Sequence, residues 1–476
     1  MTLKDKKKLF YIIPAAVVIV LIGTYSLLRF AFSIDIFDRS GWHQNGSSAQ
    51  YLDYFGNPQL QWQSIEGKTY YFDPQTGNMV TGWQELNGGR YLFDAEGVLV
   101  TGWHTEDGKK YYLNDSGKMQ TAWQTLDGKQ YYFGEDGAMA TGWLVLDNQQ
   151  HYLSEDGTPA VGWLALGEKQ YYFSEDGVPL TGWLTLDGKH FFFAADGARV
   201  SGWQEIDSSR YLFNAEGALV TGWHTEDGKK YYLNDDGKMQ TGWLKLEKKQ
   251  YFFGENGTMQ TGWLTYDGNR YYLKSDGSMA IGEVKIDGVS SFFTSTGKYV
   301  LMTNPWHPIP SDFKLDLVTI GDYKFDRSGR DALQEMIDDC RAAGHSCKIS
   351  NTYRTHGTQQ YLWDHGIEKR MAAGMTYEEA LTDTARSVMI PGHSEHETGL
   401  AVDISGNDAM DAWLAEHCWD YGFILRYPDD RVAVTGIKYE PWHFRYVGKE
   451  LSLELEELGL CMEEYMDMLT KQQAAD

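Results

Sequence analysis

Tryptophan recurs at positions 42, 62, 83, 103, 123, 143, 163, 183, 203, 223, 243 and 263, every step being 20 residues except one of 21. A period of this size marks a repeat array whose unit is one small supersecondary motif. The unit reads Thr-Gly-Trp, a short variable stretch, a pair such as Asp-Gly or Asn-Gly, an aromatic pair such as Tyr111-Tyr112 or Tyr171-Tyr172, and a second Asp-Gly before the next Trp. Aromatic runs suit strands and Asp-Gly suits two-residue turns with positive φ, so each unit is expected to be a β-hairpin. One such hairpin buries too little to fold alone, and the Trp and Tyr of neighbouring units must therefore stack into a continuous core. Disulfides cannot replace that core, because all four cysteines lie after residue 339. Residues 101–121 match 221–241 except for Ser116 against Asp236, so the array grew by duplication of blocks. It decays where Gly282-Glu283 replaces Gly-Trp, as a terminal cap does.

Ahead of the array, residues 9–28 form twenty positions without a charge, preceded by Lys4, Lys6, Lys7 and Lys8 with only Asp5 opposing. A helix of that length spans roughly 30 Å, enough for a bilayer, and the positive-inside rule keeps the N-terminus cytoplasmic. An uncleaved anchor is expected over a signal peptide, since the apolar stretch is long and no A-x-A site follows. Either way the rest of the chain is exported. With 42 Lys plus Arg against 67 Asp plus Glu the formal charge is -25, which excludes a nucleic-acid partner.

The period stops at Asn304-Pro305-Trp306-His307-Pro308-Ile309-Pro310, which reads as a linker. Beyond it, helices expected at 331–343, 358–372, 376–386, 408–420 and from about 450 alternate with strand-like runs at 347–353, 399–404, 423–427 and 443–447, the pattern of a compact α+β domain. Ser394-Glu395-His396-Glu397-Thr398-Gly399-Leu400-Ala401-Val402-Asp403 sets an imidazole and a carboxylate seven residues apart, and Glu440-Pro441-Trp442-His443 adds a second imidazole with a free carboxylate. Three N/O ligands and one base are the set that catalytic zinc uses. Glu440 and His443 would face opposite sides of a regular strand, so a bend must bring both to the metal. His393 lies off this pattern, and His307, His345, His356, His365 and His417 have no carboxylate at useful spacing. Ser350 lacks a G-x-S-x-G elbow. The acidic run Glu454–Glu464 reads as the exposed face of an amphipathic helix with Leu451, Leu455 and Leu458 inward. Cys340, Cys347, Cys418 and Cys461 allow three pairings; Cys340 to Cys347 with Cys418 to Cys461 is the expected one, which sequence leaves open.

The repeats resemble the cell-wall-binding repeats of Gram-positive surface proteins, a group that includes choline-binding modules, glucan-binding domains and clostridial toxin repeats. That resemblance implies a right-handed β-solenoid whose grooves hold sugars or choline against aromatic faces. The position before the aromatic pair, aromatic in many choline-binding members, here holds Arg90, Lys110, Gln130, Gln150, Gln170, His190, Arg210, Lys230, Gln250 and Arg270. The second region resembles the VanY-type zinc D-alanyl-D-alanine carboxypeptidases, whose S-x-H-x-x-G-x-A-x-D and E-x-W-H motifs are intact here. By that resemblance His396, Asp403 and His443 are the zinc ligands, Glu440 the general base, Arg354 the cation that stabilises the oxyanion, and Ser394 and Gln359 substrate contacts.

The expected architecture is thus multidomain: a cytoplasmic lysine cluster and transmembrane helix (1–36), a β-hairpin solenoid of 20-residue repeats (37–300), a Pro-rich linker (301–310), and an α+β zinc peptidase domain (311–476). The expected function is removal of terminal D-Ala from peptidoglycan stem peptides by a membrane-anchored, wall-docked extracellular enzyme. An L,D-carboxypeptidase and a non-catalytic wall-binding adhesin are the alternatives; the retained Glu440 speaks against the second.

Overall fold

A computed structural model describes residues 39–475. The membrane span expected over 9–28 lies outside the described residues, and among those described no helix is long and apolar enough to cross a membrane. The chain divides into two compact units, one running to Gly202 and including Phe213–Leu219, the other made of Trp203–Leu212 and the residues from Val220 onward.

In the first unit the repeats are two-stranded antiparallel hairpins, as the turn chemistry predicts. Gly102–Glu106 pairs with Lys109–Leu113, setting Trp103 opposite Tyr112. Asp107 and Gly108 join them with φ of 49° and 75°, the signature of a type I′ turn. Trp103 meets Tyr112 of its own hairpin edge-on at 5.3 Å, then reaches the next hairpin at Tyr131 (5.1 Å) and Phe133 (5.8 Å). Backbone bonds repeat the link, with Met119 N donating to Arg90 O and Met139 N to Lys110 O. The core is narrower than the sequence suggests. The residue after the aromatic pair, Leu113 or Phe133, is wholly buried, whereas Trp103 remains 44% exposed. Gly137 shows why the units keep a glycine here while the residue before it varies (Glu96, Ser116, Asp136, Asn256): its φ is +81°, and a Cβ there would lie 2.2 Å from Met119 Sδ of the preceding unit.

The second unit contains further repeats and the α+β domain. Its last hairpin, Gly282–Ile286 with Val289–Phe293, gains a third strand, Tyr299–Val300. The domain then runs β1 (Leu317–Ile320), β2 (Tyr323–Asp326), α1 (Arg330–Ala342), β3 (Lys348–Asn351), α2 (His356–Ala372), α3 (Tyr377–Thr384), β4 (Ala401–Ser405), α4 (Asp408–His417), β5 (Phe423–Leu425), β6 (His443–Tyr446), α5 (Lys449–Leu458) and α6 (Met462–Ala475). The strands β3–β4–β6–β5 form one antiparallel sheet in that order. Leu333, Met336 and Ile337 of α1 pack on Val402, Ile404, Phe423 and Phe444 of the sheet to make the core. The β1–β2 hairpin has no counterpart among the expected elements.

Three expectations are corrected here. The final helix is two helices, broken at Gly459, whose φ of +65° closes α5. The break turns a new face inward, so Leu458 is exposed while Glu463 is drawn into the interior. The cysteines are free thiols: Cys340, Cys347 and Cys418 share one core cluster, and Cys461 stands outside it. Burial pushes the Cys347, Cys418 and Cys461 thiols up to about 12. The segment 301–310 is packed at its start, with Leu301, Met302, Thr303 and Asn304 all buried. Thr303 Oγ1 donates to His393 O, Asn304 Nδ2 donates to Glu463 Oε1, and the His307 ring meets Phe292 at 4.9 Å.

The last hairpin is fastened to α6 in the same way. Phe292 shares a cluster with Tyr465, Met466 and Leu469, and Ser295 N donates to Tyr465 Oη at 2.9 Å. Phe292→Ala should therefore destabilise the α+β domain itself, by about 3–5 kcal/mol, the usual cost of emptying a buried aromatic site. The check is the denaturant midpoint of that domain's transition, which a mutation in a merely attached repeat would leave in place.

Candidate functional site

Sheet register assembles the centre. Asn351 of β3 pairs with Asp403 of β4, and Asp403 pairs with His443 of β6, so three neighbouring strands present these residues in one row. His396 comes from the 3-10 turn Glu395–Thr398 that leads into β4. Its Nδ1 bonds Thr352 O at 2.7 Å, which leaves Nε2 facing Asp403 Oδ2 at 3.2 Å. His443 is turned the other way: Nε2 lies 3.3 Å from Glu395 Oε2, and Nδ1 lies 3.0 Å from Asp403 Oδ1. His396, Asp403 and His443 thus each offer one ligand atom, all within 4.8 Å of one another. Two imidazole nitrogens and a carboxylate oxygen, each imidazole oriented by a bond on its other nitrogen, are a donor set that fits zinc.

Around the donors lies a cleft of about 240 Å³ lined by Arg354, Ser394, Glu440 and Trp442, with Leu362, Val388 and Ile437 supplying apolar wall. The bend expected between Glu440 and His443 is present. Residues 439–442 precede β6, His443 N donates to Glu440 O, and the Glu440 carboxylate comes within 3.8 Å of His443 Nδ1. Burial pushes the Glu440 carboxyl above its ordinary value. Arg354 is held by its own N–H on His396 O and by Nη1 donating to Gln359 Oε1 at 2.6 Å. Gln359 does not reach the cleft: it is wholly buried one turn into α2, and its Nε2 is committed to Met389 O. Its place is behind Arg354.

Sequence reasoning missed the layer beneath. Glu395, 1% exposed, accepts from Arg426 Nε at 2.9 Å and lies 3.0 Å from Arg445 Nη1, an ion contact outside hydrogen-bond geometry. Burial alone would push the Glu395 carboxyl up; Arg426 and Arg445, with His443, outweigh it and hold the group well below the usual carboxylate range. The same contest has the opposite sign on His443, which burial pushes down but the bonds to Asp403 and Glu395 raise to about 10. Glu395, a charged residue immediately before the candidate ligand His396, was the available signal. His356 and His393 also have partners, Glu397 Oε1 at 2.8 Å and Asn304 O at 2.8 Å.

Residues 323–449 match the family described as VanY: D-alanyl-D-alanine carboxypeptidase. Over 176 residues the chain is 36% identical to a D-alanyl-D-alanine carboxypeptidase of Enterococcus faecalis (strain ATCC 700802 / V583), covering 35% of this chain and 65% of that protein. Over 139 residues it is 35% identical to the bifunctional D-Ala-D-Ala dipeptidase and D-Ala-D-Ala carboxypeptidase VanXYC of Enterococcus gallinarum, covering 26% of this chain and 68% of that protein. The chain belongs to the VanY D-alanyl-D-alanine carboxypeptidase family. A solved structure of a mutant vancomycin resistance D,D-pentapeptidase VanY with Zn(II) is 35% identical, covers 35% of this chain and 97% of its own, and gives a TM-score of 0.34. The VanY match spans every site residue named so far and stops before α6.

The repeats match the choline-binding repeat over residues 60–98, 80–122, 120–159, 200–239, 220–259 and 241–283. Their tryptophan faces are not equivalent. Arg90 and Arg210 each lie 4.6 Å over Trp83 and Trp203, whose Nε1 groups donate to Glu106 and Glu226. Arg270 lies 4.2 Å over Trp263. Trp103, Trp143, Trp223 and Trp263 are all 43–45% exposed, so what sets Trp263 apart is the guanidinium on its face and not its exposure.

Within the VanY domain, Glu395 is the carboxylate shared by two buried guanidinium groups, so Glu395→Ala leaves both underpaired. A loss of about 3–5 kcal/mol is expected, as for breaking a buried ion pair from one side. Chemical denaturation of the metal-free protein measures it, with Glu397→Ala as a control that leaves Arg426 and Arg445 untouched.

Proposed function

We propose that the chain is a zinc-dependent D,D-carboxypeptidase that removes the terminal D-Ala of peptidoglycan stem peptides, held at the cell wall by its repeats. The observation that carries this reading is the convergence of His396, Asp403 and His443 with Glu440 and Arg354 on one cleft. The curated relatives named D-alanyl-D-alanine carboxypeptidase support it, although the chain spans 65% of the length of the first of them. His396, Asp403 and His443 would hold the ion, which when bound supplies a Lewis acid for the scissile carbonyl and acidifies a water.

Glu440 takes the proton of the attacking water and delivers it to the leaving amine. Burial raises its pKa, which makes its carboxylate a better proton acceptor for that transfer. Arg354, fixed by Gln359, offsets the negative charge that develops on the carbonyl oxygen. Ser394 contacts the substrate, and Leu362, Val388 and Ile437 give the alanine methyl groups an apolar surface. The repeats dock the enzyme, with the uncovered faces of Trp103, Trp143 and Trp223 as the surfaces for sugar rings or quaternary ammonium groups. A membrane anchor over residues 9–28 rests on its apolar length and the lysines before it.

Incubation with defined pentapeptide and tetrapeptide muropeptides, read by mass, tests the reaction and separates D,D from L,D cleavage. Replacing His396, Asp403 or His443 by Ala should remove both metal and hydrolysis. Glu440→Ala should keep one zinc per chain and lose on the order of 10²–10⁴ in turnover. Full metal and full activity in the ligand variants would end this reading.

The array makes a separate prediction, read on the full chain carrying Glu440→Ala so that the walls stay intact. A protein with a formal charge of -25 gains nothing from an anionic wall by charge attraction, so affinity must come from aromatic faces. Binding to purified walls should therefore change little between about 50 mM and about 500 mM salt, where screening would abolish an electrostatic association. Competition by choline or by glucan identifies the ligand class.

A further inference from the structure

Behind His443 a chain of buried charges runs from the metal centre to the last helix. Glu395 Oε2 lies 3.3 Å from His443 Nε2, while Glu395 Oε1 accepts from Arg426 Nε. The remaining Arg426 nitrogens are taken by one carboxylate, Nη1 donating to Glu463 Oε2 at 3.0 Å and Nη2 to Glu463 Oε1 at 2.6 Å. Asn304 Nδ2 donates to Glu463 Oε1 at 3.0 Å from the other side. Arg426 and Arg445 are each 1% exposed, and Arg445 Nη2 is occupied by Leu301 O. Glu463 stands in the first turn of α6, outside the VanY match at 323–449.

Two guanidinium groups face two carboxylates in this chain, and the balance is local. Without Glu463 the cluster behind a metal ligand carries an excess positive charge, in surroundings where charge interactions are weakly screened. Arg426 also loses its two-pronged partner. The other carboxylate it contacts among the described residues is Glu395, so the freed guanidinium competes for the oxygen that holds the imidazole.

We propose that Glu463 is a positioning residue for the metal centre: by engaging Arg426 at both nitrogens it leaves Glu395 Oε2 to fix the His443 imidazole with Nδ1 toward the ion. The proposal rests on the reading of His396, Asp403 and His443 as the ligands. It gives α6, which is fastened to the last hairpin through Tyr465 and Phe292, a part in metal binding that the motifs do not reveal.

The test uses the full chain and two readouts: zinc affinity by competition with a chromogenic chelator, and the visible absorption of the cobalt(II)-loaded protein, which reports ligand arrangement. E463Q should weaken zinc binding by up to about 10-fold, the lower end of the range for losing a direct partner of a ligand because Glu463 acts through Arg426 and Glu395, and should shift the cobalt bands. Glu464→Gln, whose partner Arg431 is nearer the surface, should leave both readouts at wild-type values. Glu463→Asp keeps the charge but is one methylene short of the two-pronged contact, so its affinity should fall between wild type and E463Q. If E463Q does not fold, the Asp variant carries the test: wild-type affinity and spectrum in it overturn the proposal, and a loss in both supports it. A folded E463Q with wild-type zinc affinity and cobalt spectrum also overturns it. Failure of the underlying reading looks different, because then the wild-type chain takes up no zinc or retains it after His443→Ala.

Discussion

Each hairpin of the array leaves aromatic surface that only its successor can cover, and the tryptophan bridging the two is the contact on which the rest is built. Trp103 touches Tyr112 in its own unit and Tyr131 and Phe133 in the next, and the backbone bonds follow the same path. The last hairpin has no successor. Glu283 stands where tryptophan would be, paired with Phe292, and its N–H is satisfied by Thr470 Oγ1 of α6. Gly282 makes the approach possible, because a Cβ there would lie 2.6 Å from the Thr470 backbone nitrogen, whereas the equivalent Gly262 has open space. The end of the array is therefore closed by the last helix of the chain's α+β domain, beyond the VanY match.

That helix ties packing to chemistry. Tyr465, Met466 and Leu469 serve the apolar seam with Phe292, while Glu463 reaches the buried arginine behind the candidate metal ligands. Fully buried charges are costly unless every one is matched. Here Glu395 meets Arg426 and Arg445, and Glu463 meets Arg426 and Asn304. The matching fixes side-chain positions more firmly than apolar packing could, since each bond has a direction as well as a distance. A metal site gains from such fixing, because ligands already oriented lose little freedom when the ion arrives.

The features legible in the sequence are those written locally. The array declares itself through period and turn chemistry, and the candidate ligands through two short motifs whose members are brought together by a sheet register of neighbouring strands. What was not legible depends on distant partners. The run Glu454–Glu464 has the look of a solvated helix face until Gly459 redirects it, after which Glu463 meets Arg426 and Glu454 accepts from Tyr465 Oη. Gln359 sits at a motif position associated with substrate, yet its place in α2 turns it away from the cleft and onto Arg354. Of the expected cysteine pairs, Cys340 and Cys347 do share a core but remain thiols, while Cys418 lies in that same core and Cys461 outside it, a grouping that spacing along the chain does not reveal.

Charge composition gives these contacts a common logic. With 67 acidic against 42 basic residues, the chain as a whole favours a cation at its metal centre. Locally the opposite threat exists, because Arg354 lies near His396, and Arg426 and Arg445 lie beside Glu395, the partner of His443. Arg354 lines the cleft and is restrained by an uncharged amide, so its charge is not neutralised there by a direct partner. Arg426 and Arg445 are instead neutralised from behind by Glu395 and Glu463, which keeps their charge from opposing the ion while their geometry still holds the imidazole partner. The same residue type is handled differently on the repeats, where Arg90, Arg210 and Arg270 lie on tryptophan faces and occupy positions that a ligand cation would otherwise take. In each setting the arginine's partner decides whether its charge is left open to a ligand or withheld from it, and that choice separates the cleft of the VanY domain from the support behind it.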